Sequence, residues 1–310
     1  MSGLAFLFPG QASQYVGMGK DLYEHSPVVR ELFDLADKEL ETGLTELCFN
    51  GPEEALRQTA ITQPAVFVHS VAALFLLQQG GLRPECVAGH SLGEYSALVA
   101  AEVLDFESGL RLVKKRGELM QAAGDKRPGA MTAIMGLDDQ AVLDLCLAST
   151  GMVVAANFNA PGQLVISGES EAVKEVSSAA GEAGAKKVVP LPVSAAFHSP
   201  LMEPAALELM KLLDQVPFSS PKVPVITNVG ATAVTSVDEL RAQLSAQMTN
   251  PVRWAGSMVC LRSLGVERAI EVGPGSVLKG LFRRIDRAVS VSNAACVDEI
   301  EAAKMAASTD

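Results

Sequence analysis

Residues 86–103 of the chain read CVAGHSLGEYSALVAAEV. The apolar start, Cys86–Ala88, predicts a short buried strand that ends at Gly89, and Leu92–Val103 predicts a helix. A Gly-x-Ser-x-Gly turn joins the two, with Ser91 at its centre. Glycines on both sides of the serine leave room for a sharp turn, which would hold the hydroxyl exposed at the start of a helix.

The order of strand, turn and helix recurs on both sides of this stretch. Leu4–Phe8 predicts a buried strand stopped by Pro9 and Gly10, and Arg268–Val272 predicts another. Helical periodicity covers Ser26–Leu47, Ala65–Leu77, a segment capped by Asp105 that runs to Ala123, and Pro204–Gln215, while Val223–Asn228 reads as a strand. The pattern predicts a parallel sheet covered by helices, followed by a frayed tail over the last ten residues.

The middle of the chain has a different order of elements. Strands are predicted at Ala130–Gly136, Met152–Phe158, Gln163–Ser167 and Lys186–Val193, with helices at Asp138–Ala148 and Glu169–Ala183. This β-α-β-β-α-β order is the ferredoxin-like arrangement. We therefore predict a large domain made of residues 1–126 and 197–310, interrupted by a ferredoxin-like domain at 127–196.

The composition indicates a folded protein that acts away from nucleic acids and membranes. Of 310 residues, 48% are hydrophobic, which supplies a large core, and the net charge of −11 argues against nucleic acid or an anionic membrane as partner. The longest apolar stretch is too short to span a bilayer, and the N-terminus lacks a basic signal-peptide start, so we expect a cytoplasmic protein. Five scattered cysteines and four histidines show no metal-ligand spacing, which predicts no metal site.

Ser91 has two explanations at this level. It is either a nucleophile presented by the turn or a serine that caps the following helix. The position of the pentapeptide between a predicted strand and a predicted helix favours the nucleophile.

A serine nucleophile needs a general base, and the sequence offers four histidines. His25 precedes the core elements, His69 falls within an apolar helix, and His90 is adjacent to Ser91 on a turn that directs its side chain elsewhere. His198 follows the inserted region in the loop that returns to the large domain, and such junction loops line clefts. His198 is therefore the best candidate for the base.

Arg116 lies in the middle of the apolar face of the helix that follows Asp105. The positions that surround it on this face are Gly109, Leu112, Val113, Leu119, Met120 and Ala123. An unpaired guanidinium buried there would be strongly destabilising, so Arg116 needs an anionic partner. That partner is either a structural Asp or Glu, or a substrate carboxylate held in a bidentate pair.

Several stretches, in order along nearly the whole chain, carry a family resemblance. They are FPGQASQ (8–14), TQPA (62–65), GHSLGEY (89–95), Arg116-Gly117, NFNAPGQ (157–163), Phe197-His198-Ser199, NPVRW (250–254) and EVGPG (271–275). Together they resemble the malonyl-CoA:acyl carrier protein transacylases of bacterial fatty-acid synthesis. The set is far more specific than Gly-x-Ser-x-Gly alone.

The resemblance implies an α/β-hydrolase-like large domain with a ferredoxin-like insert, and a ping-pong reaction. A malonyl group would pass from coenzyme A to Ser91 and then to the phosphopantetheine thiol of an acyl carrier protein. His198 would act as general base and then as acid, and Arg116 would bind the malonyl carboxylate. The resemblance implies no metal or redox cofactor, and malonyl-CoA enters as a substrate.

The resemblance also implies roles for residues around this centre. The backbone amides of Gln11 and Leu92 would form the oxyanion hole, and the main-chain carbonyl of Gln247 would orient His198. Contacts with the substrate are expected from Gln63, Met120 and Phe197.

We expect a monomer with malonyl-CoA and an acidic carrier protein as partners. Lys279, Arg283 and Arg287 recur at four-residue spacing on a predicted helix, where they could steer the carrier or be ordinary solvated charges. Three alternatives remain open at this point: a serine esterase or thioesterase, a non-catalytic acyl-binding protein, and a transacylase of a polyketide pathway.

Overall fold

Two β-sheets organise residues 3–308, the part of the chain that the computed structural model describes. The strands are β1 (Gly3–Phe8), β2 (Cys86–Gly89), β3 (Gly129–Met135), β4 (Val153–Ala160), β5 (Gln163–Glu169), β6 (Lys187–Pro190), β7 (Val225–Ile226), β8 (Ala233–Val234), β9 (Val266–Val272) and β10 (Ser290–Ala294). The first half of the chain forms helices α1 (Lys20–His25), α2 (Pro27–Leu40), α3 (Leu44–Asn50), α4 (Glu53–Leu56), α5 (Thr59–Gln79), α6 (Gly93–Ala100), α7 (Phe106–Lys126) and α8 (Asp139–Ala148). The second half forms α9 (Ser170–Glu182), α10 (Glu203–Leu213), α11 (Val237–Ala246), α12 (Trp254–Ser263), α13 (Val277–Ile285) and α14 (Val297–Ser308).

The larger sheet has the strand order β10-β9-β1-β2-β7-β8 and is parallel except for the last pair. Strand β1 lies between β9 and β2, with Leu7 opposite Glu271 on one side and Phe8 opposite Gly89 on the other. The carboxyl ends of these three strands therefore meet at one edge of the sheet. In open α/β sheets this edge is where ligands bind.

The smaller sheet has the order β4-β5-β3-β6, and all its neighbours are antiparallel. Its elements follow the chain as β-α-β-β-α-β, and α8 and α9 bury an apolar layer against it. The predicted fold class, a parallel α/β domain with a ferredoxin-like domain, is confirmed. The predicted domain limits at 126/127 and 196/197 stay predictions.

Helix α5 is the most deeply buried of the long helices. It packs against α7 and carries fifteen buried residues. By length and composition it could cross a membrane, but 83% of its most apolar window is buried inside the protein. Its apolar composition is thus the composition of a core helix.

Two predictions about the helices are wrong. The segment Ser26–Leu47 is two helices rather than one, because the chain turns through a left-handed residue at Glu41 (φ 55°) before α3 begins. Of the last ten residues, predicted to fray, residues 301–308 belong to helix α14, and residues 309–310 lie outside the described part of the chain. Ile300 and Ala303 bury their side chains in the main core, and this packing holds the helix in place.

Candidate active site

The turn between β2 and α6 presents Ser91 in a strained backbone conformation. Ser91 has φ 51°, in the left-handed region that non-glycine residues rarely occupy. The glycines beside it cannot carry a side chain: a Cβ on Gly89 would lie 2.0 Å from the carbonyl carbon of Gly93, and one on Gly93 would lie 2.1 Å from the Phe8 oxygen. The two glycines thus allow the turn to pack directly on the end of β1.

Two distant side chains hold the Ser91 backbone in this conformation. Asn228 Oδ1 accepts the Ser91 N–H at 2.6 Å, and Asn228 Nδ2 donates to the Gly89 carbonyl at 2.6 Å. Gln247 Nε2 donates to the Ser91 carbonyl at 2.9 Å. Both peptide groups of the serine are therefore fixed by residues from the second half of the chain.

His198 lies within hydrogen-bond distance of the serine hydroxyl. Its Nε2 is 2.7 Å from Ser91 Oγ, and its Nδ1 is 2.9 Å from the Gln247 carbonyl oxygen. Because a carbonyl can only accept, Nδ1 carries the proton and Nε2 accepts from the hydroxyl. Burial, and then the nearby positive charge of Arg116, lower the pKa of His198 to about 3. The imidazole is therefore neutral near pH 7 and can accept a proton.

Arg116 directs its guanidinium at the same hydroxyl from helix α7. Its side chain is buried, with Nη2 donating to Ser91 Oγ at 3.0 Å and to Gln247 Oε1 at 3.0 Å. Nη1 donates to Gln63 Oε1 at 2.7 Å, and Nε has no acceptor. Within residues 3–308, no carboxylate forms an ion pair with this guanidinium. Among these residues Glu94 is linked to the guanidinium only through Gln247, so the directly paired structural Asp or Glu, one of the two alternatives from the sequence, is not found.

The loop after β1 brings Gln11 close to the turn. A Cβ on Gly10 would lie 2.6 Å from the His90 carbonyl oxygen, so the loop packs tightly on the residues that precede Ser91. The Gln11 side chain donates to Thr59 Oγ1 at 3.2 Å. The backbone N–H groups of Gln11 and Leu92 have no acceptor among the residues that the structure describes.

The remaining predicted substrate contacts are buried beside this group. Gln63 joins Arg116 to Met120, because its Nε2 donates to the Met120 sulfur at 3.2 Å. Phe197 precedes His198 and is 6% exposed. Gln63 thus contacts Arg116 directly, Met120 is linked to it through Gln63, and Phe197 is next to His198 in sequence.

The other candidate histidines do not reach Ser91. His90 Nε2 is paired with Asn159 Oδ1 at 2.8 Å. His69 Nε2 donates to the Ala295 carbonyl at 3.0 Å, and burial lowers its pKa to about 4. It is a core histidine, as the sequence indicated.

Sequence reasoning missed Asn228, Glu94 and the side chain of Gln247. Glu94 is 2% exposed, and its Oε2 accepts from Gln247 Nε2 at 2.7 Å and from the Asn228 N–H at 3.3 Å. Burial raises the pKa of Glu94 to about 7. A signal was present, since Glu94 is the one charge in the apolar stretch 92–101. As with Arg116, a charge among apolar residues indicates a buried group that needs partners, and this signal would have identified Glu94.

Comparisons of the sequence with a family model and with curated relatives both point to acyl transferases. The sequence model of the acyl transferase domain matches residues 5–306. The malonyl CoA-acyl carrier protein transacylase of Bacillus subtilis is 47% identical over 290 residues, which are 93% of this chain and 92% of that protein.

Solved structures resemble the whole chain. A malonyl-transacylase in complex with the holo acyl-carrier protein of a type II PKS has a TM-score of 0.95 and 42% identity, covering 98% of this chain and 100% of that one. The malonyl-CoA:acyl carrier protein transacylase of Xanthomonas oryzae also has a TM-score of 0.95 and 42% identity, covering 99% and 98%. Both likenesses extend over both sheets.

Proposed function

The chain belongs to the acyl transferase domain family, and from this premise we propose the roles that its residues play. The reaction is the transfer of a malonyl group from coenzyme A to acyl carrier protein. The observation that carries the residue assignment is the convergence of His198 Nε2 (2.7 Å) and Arg116 Nη2 (3.0 Å) on Ser91 Oγ.

In the first half-reaction, Ser91 Oγ attacks the thioester carbonyl of malonyl-CoA. His198 Nε2 takes the hydroxyl proton, and the Nδ1–H bond to Gln247 keeps the ring in the required tautomer. The amides of Gln11 and Leu92 bind the oxyanion, an interaction whose loss typically costs about 10²–10³ in rate. His198 then protonates the departing coenzyme A thiolate.

Arg116 binds the carboxylate at the other end of the malonyl group. Arg116 Nη2, which donates to Ser91 Oγ and Gln247 Oε1 in the free enzyme, donates to the carboxylate instead. This leaves the hydroxyl free for His198. An acetyl group offers no charge to the guanidinium, so the site discriminates against it. A simple esterase or thioesterase would have no use for this cation.

In the second half-reaction, the phosphopantetheine thiol of the carrier attacks the malonyl-Ser91 ester. His198 takes the thiol proton and returns it to Ser91 Oγ, which regenerates the enzyme. These steps need no metal or redox cofactor, because His198 carries out every proton transfer in the proposed mechanism. One chain supplies Ser91, His198, Arg116 and Gln247, which is compatible with the proposed monomer. A net charge of −11 argues against nucleic acid or an anionic membrane as a partner. The setting that we propose is fatty-acid synthesis in the cytoplasm.

Intact-mass measurement after exposure to malonyl-CoA or acetyl-CoA tests these roles. Wild type gains one malonyl group and little acetyl group, and Ser91→Ala gains neither. Arg116→Ala loses malonylation by about 10³-fold, while its acetylation changes less than tenfold, because only the malonyl group loses a charge partner.

Arg111→Ala is the matched control, since Arg111 is exposed on the same helix. It keeps wild-type malonylation. A malonyl adduct on Ser91→Ala would overturn the nucleophile assignment. Equal losses of malonyl and acetyl transfer in Arg116→Ala would overturn the assignment of Arg116 as the carboxylate-binding residue.

A further inference from the structure

We propose that Glu94 is a positioning residue that binds a proton from solvent when the malonyl carboxylate enters the site. The inference rests on the proposed function, because it needs the substrate carboxylate at Arg116. Glu94 touches neither Ser91 Oγ nor the guanidinium directly, and it acts through Gln247 and Asn228.

A hydrogen-bond network connects Glu94 to the backbone of Ser91. Glu94 Oε2 accepts from the Gln247 side chain and from the Asn228 N–H. These two residues hold the carbonyl and the N–H of Ser91, and Gln247 also orients His198 through its own carbonyl. Glu94 Oε2 thus anchors Gln247 and Asn228, which fix the backbone of Ser91. Gln247 also orients the base, His198.

Glu94 and Arg116 carry opposite charges and are linked through Gln247. Glu94 and Arg116 are both buried, and they share Gln247, whose Oε1 accepts from Arg116 while its Nε2 donates to Glu94. The other titratable side chains packed around them, His90, His198 and Tyr95, are buried and uncharged near neutral pH. In the free enzyme at pH 7.5, above its pKa of about 7, Glu94 is mostly ionised and offsets the guanidinium charge.

Binding of the malonyl group brings a second negative charge to Arg116. A malonyl carboxylate paired with Arg116 uses the positive charge that Glu94 otherwise balances. Two carboxylates then share one buried cation, and like charges in such a site favour protonation of one of them. The pKa of Glu94 is already raised to about 7 by burial, so a further rise moves it above neutral pH.

The linkage is reciprocal. If the bound malonyl group favours protonation of Glu94, protonation of Glu94 must tighten binding of the malonyl group by the same factor. With a factor of about ten, Glu94 takes up about half a proton per malonyl group at pH 7.5.

Proton uptake during acylation tests the proposal. The enzyme is mixed with malonyl-CoA in weak buffer containing a pH indicator at pH 7.5, and the protons taken up are divided by the malonyl groups counted by intact mass. Serine acylation itself is proton-neutral, because the serine proton leaves on the coenzyme A thiol. Glu94→Gln keeps an oxygen that can accept both hydrogen bonds but removes the charge, so it should take up no proton per malonyl group.

A kinetic measurement separates charge from positioning. In wild type, kcat/KM for malonyl-CoA should fall about tenfold as the pH rises through the pKa of Glu94, relative to the profile of slow acetyl transfer. Glu94→Gln should lose this difference. Glu94→Ala, which releases Gln247 and Asn228, should lower kcat with both acyl groups.

Malonylation without proton uptake in wild type would overturn the proposal while leaving the transacylase assignment intact. Equal uptake by wild type and Glu94→Gln would also overturn it, since the proton would then bind elsewhere. Failure of wild type to malonylate Ser91 would instead overturn the proposed function.

Discussion

Ser91, His198 and Ala12, the residue after Gln11, have left-handed backbones. Ala12, Ser91 and His198 have φ of 78°, 51° and 57°. Such conformations cost about 1–3 kcal/mol each and persist only where the surroundings fix them. At Ser91 the fixing contacts are identified, because Asn228 and Gln247 bind its two peptide groups.

Asn228→Ala tests how far this fixation supports the reaction. We expect kcat for malonyl transfer to fall about 10²-fold with KM nearly unchanged, because the turn relaxes while Arg116 still binds the substrate. Asn228→Asp keeps the acceptor for the Ser91 N–H but places a carboxylate against the Gly89 carbonyl, so it should be no better. Steady-state kinetics decides it, and a mutant that loses only substrate affinity would contradict the prediction.

At the scale of elements, strand β1, the turn and helix α6 pack without space for side chains. Gly93→Ala would place a Cβ 2.1 Å from the backbone oxygen of Phe8, and backbone cannot yield as a flexible side chain does. We expect a loss of more than about 4 kcal/mol in the free energy of unfolding, or no folded protein. Gly280→Ala is the control: it lies in the exposed middle of α13 with nothing near its Cβ, and it should stabilise by about 0.5–1 kcal/mol. Urea unfolding measures both, and similar effects of the two substitutions would refute the packing argument.

Helix α5 contributes a pH dependence of stability through His69. Burial lowers the pKa of His69 from 6.5 to about 4, so between these pH values the unfolded chain binds a proton that the folded protein does not. The contribution of His69 to the free energy of unfolding, about 3 kcal/mol, is therefore fully present above pH 6.5 and is lost as the pH falls towards 4. His69→Gln can still donate to the Ala295 carbonyl, and it should lose less stability between pH 7 and pH 4.5 in urea unfolding. Equal losses in both proteins would mean that other groups, such as His198, account for the acid sensitivity.

Over the whole molecule, the edge of β4 in the small sheet is hydrogen-bonded to Val252, in the segment that precedes α12. Phe158 N–H donates to the Val252 carbonyl, and Val252 N–H donates to the Ala156 carbonyl, both at 2.9 Å. The hydrogen bond between His90 and Asn159 lies beside them. These bonds also fix the distance between the serine turn and the elements that follow the small sheet.

We expect the two sheets to unfold together. Trp254 is the single tryptophan of the chain, is fully buried, and lies 5.4 Å from His90 between ring centroids. Its fluorescence reports the junction, whereas far-UV circular dichroism reports all elements. The two midpoints in urea should coincide, and separate midpoints would mean that the sheets are independent.

The sequence predicted the element order well because periodicity and glycines are local signals. It nominated Ser91 from the turn, Arg116 from its place on an apolar face, and His198 from its junction loop, and the structure brings these three side chains together. It could not predict that Gln247 and Asn228 bind the Ser91 backbone, because such contacts join residues more than 130 positions apart. It also predicted Val223–Asn228 as a full strand, whereas only Val225–Ile226 pairs in the sheet, because an apolar run does not show which of its residues pair with a neighbouring strand.

The dependence of Ser91 on Asn228 and Gln247 has a consequence for biosynthesis. A nascent chain carries its serine out of the ribosome long before the residues that shape the turn are translated. Until Gln247 has emerged, His198 has no carbonyl to orient it, and Arg116 has only one of its two amide acceptors, Gln63. We expect the growing polypeptide to stay inert towards thioesters until Gln247 has been translated and has left the ribosome.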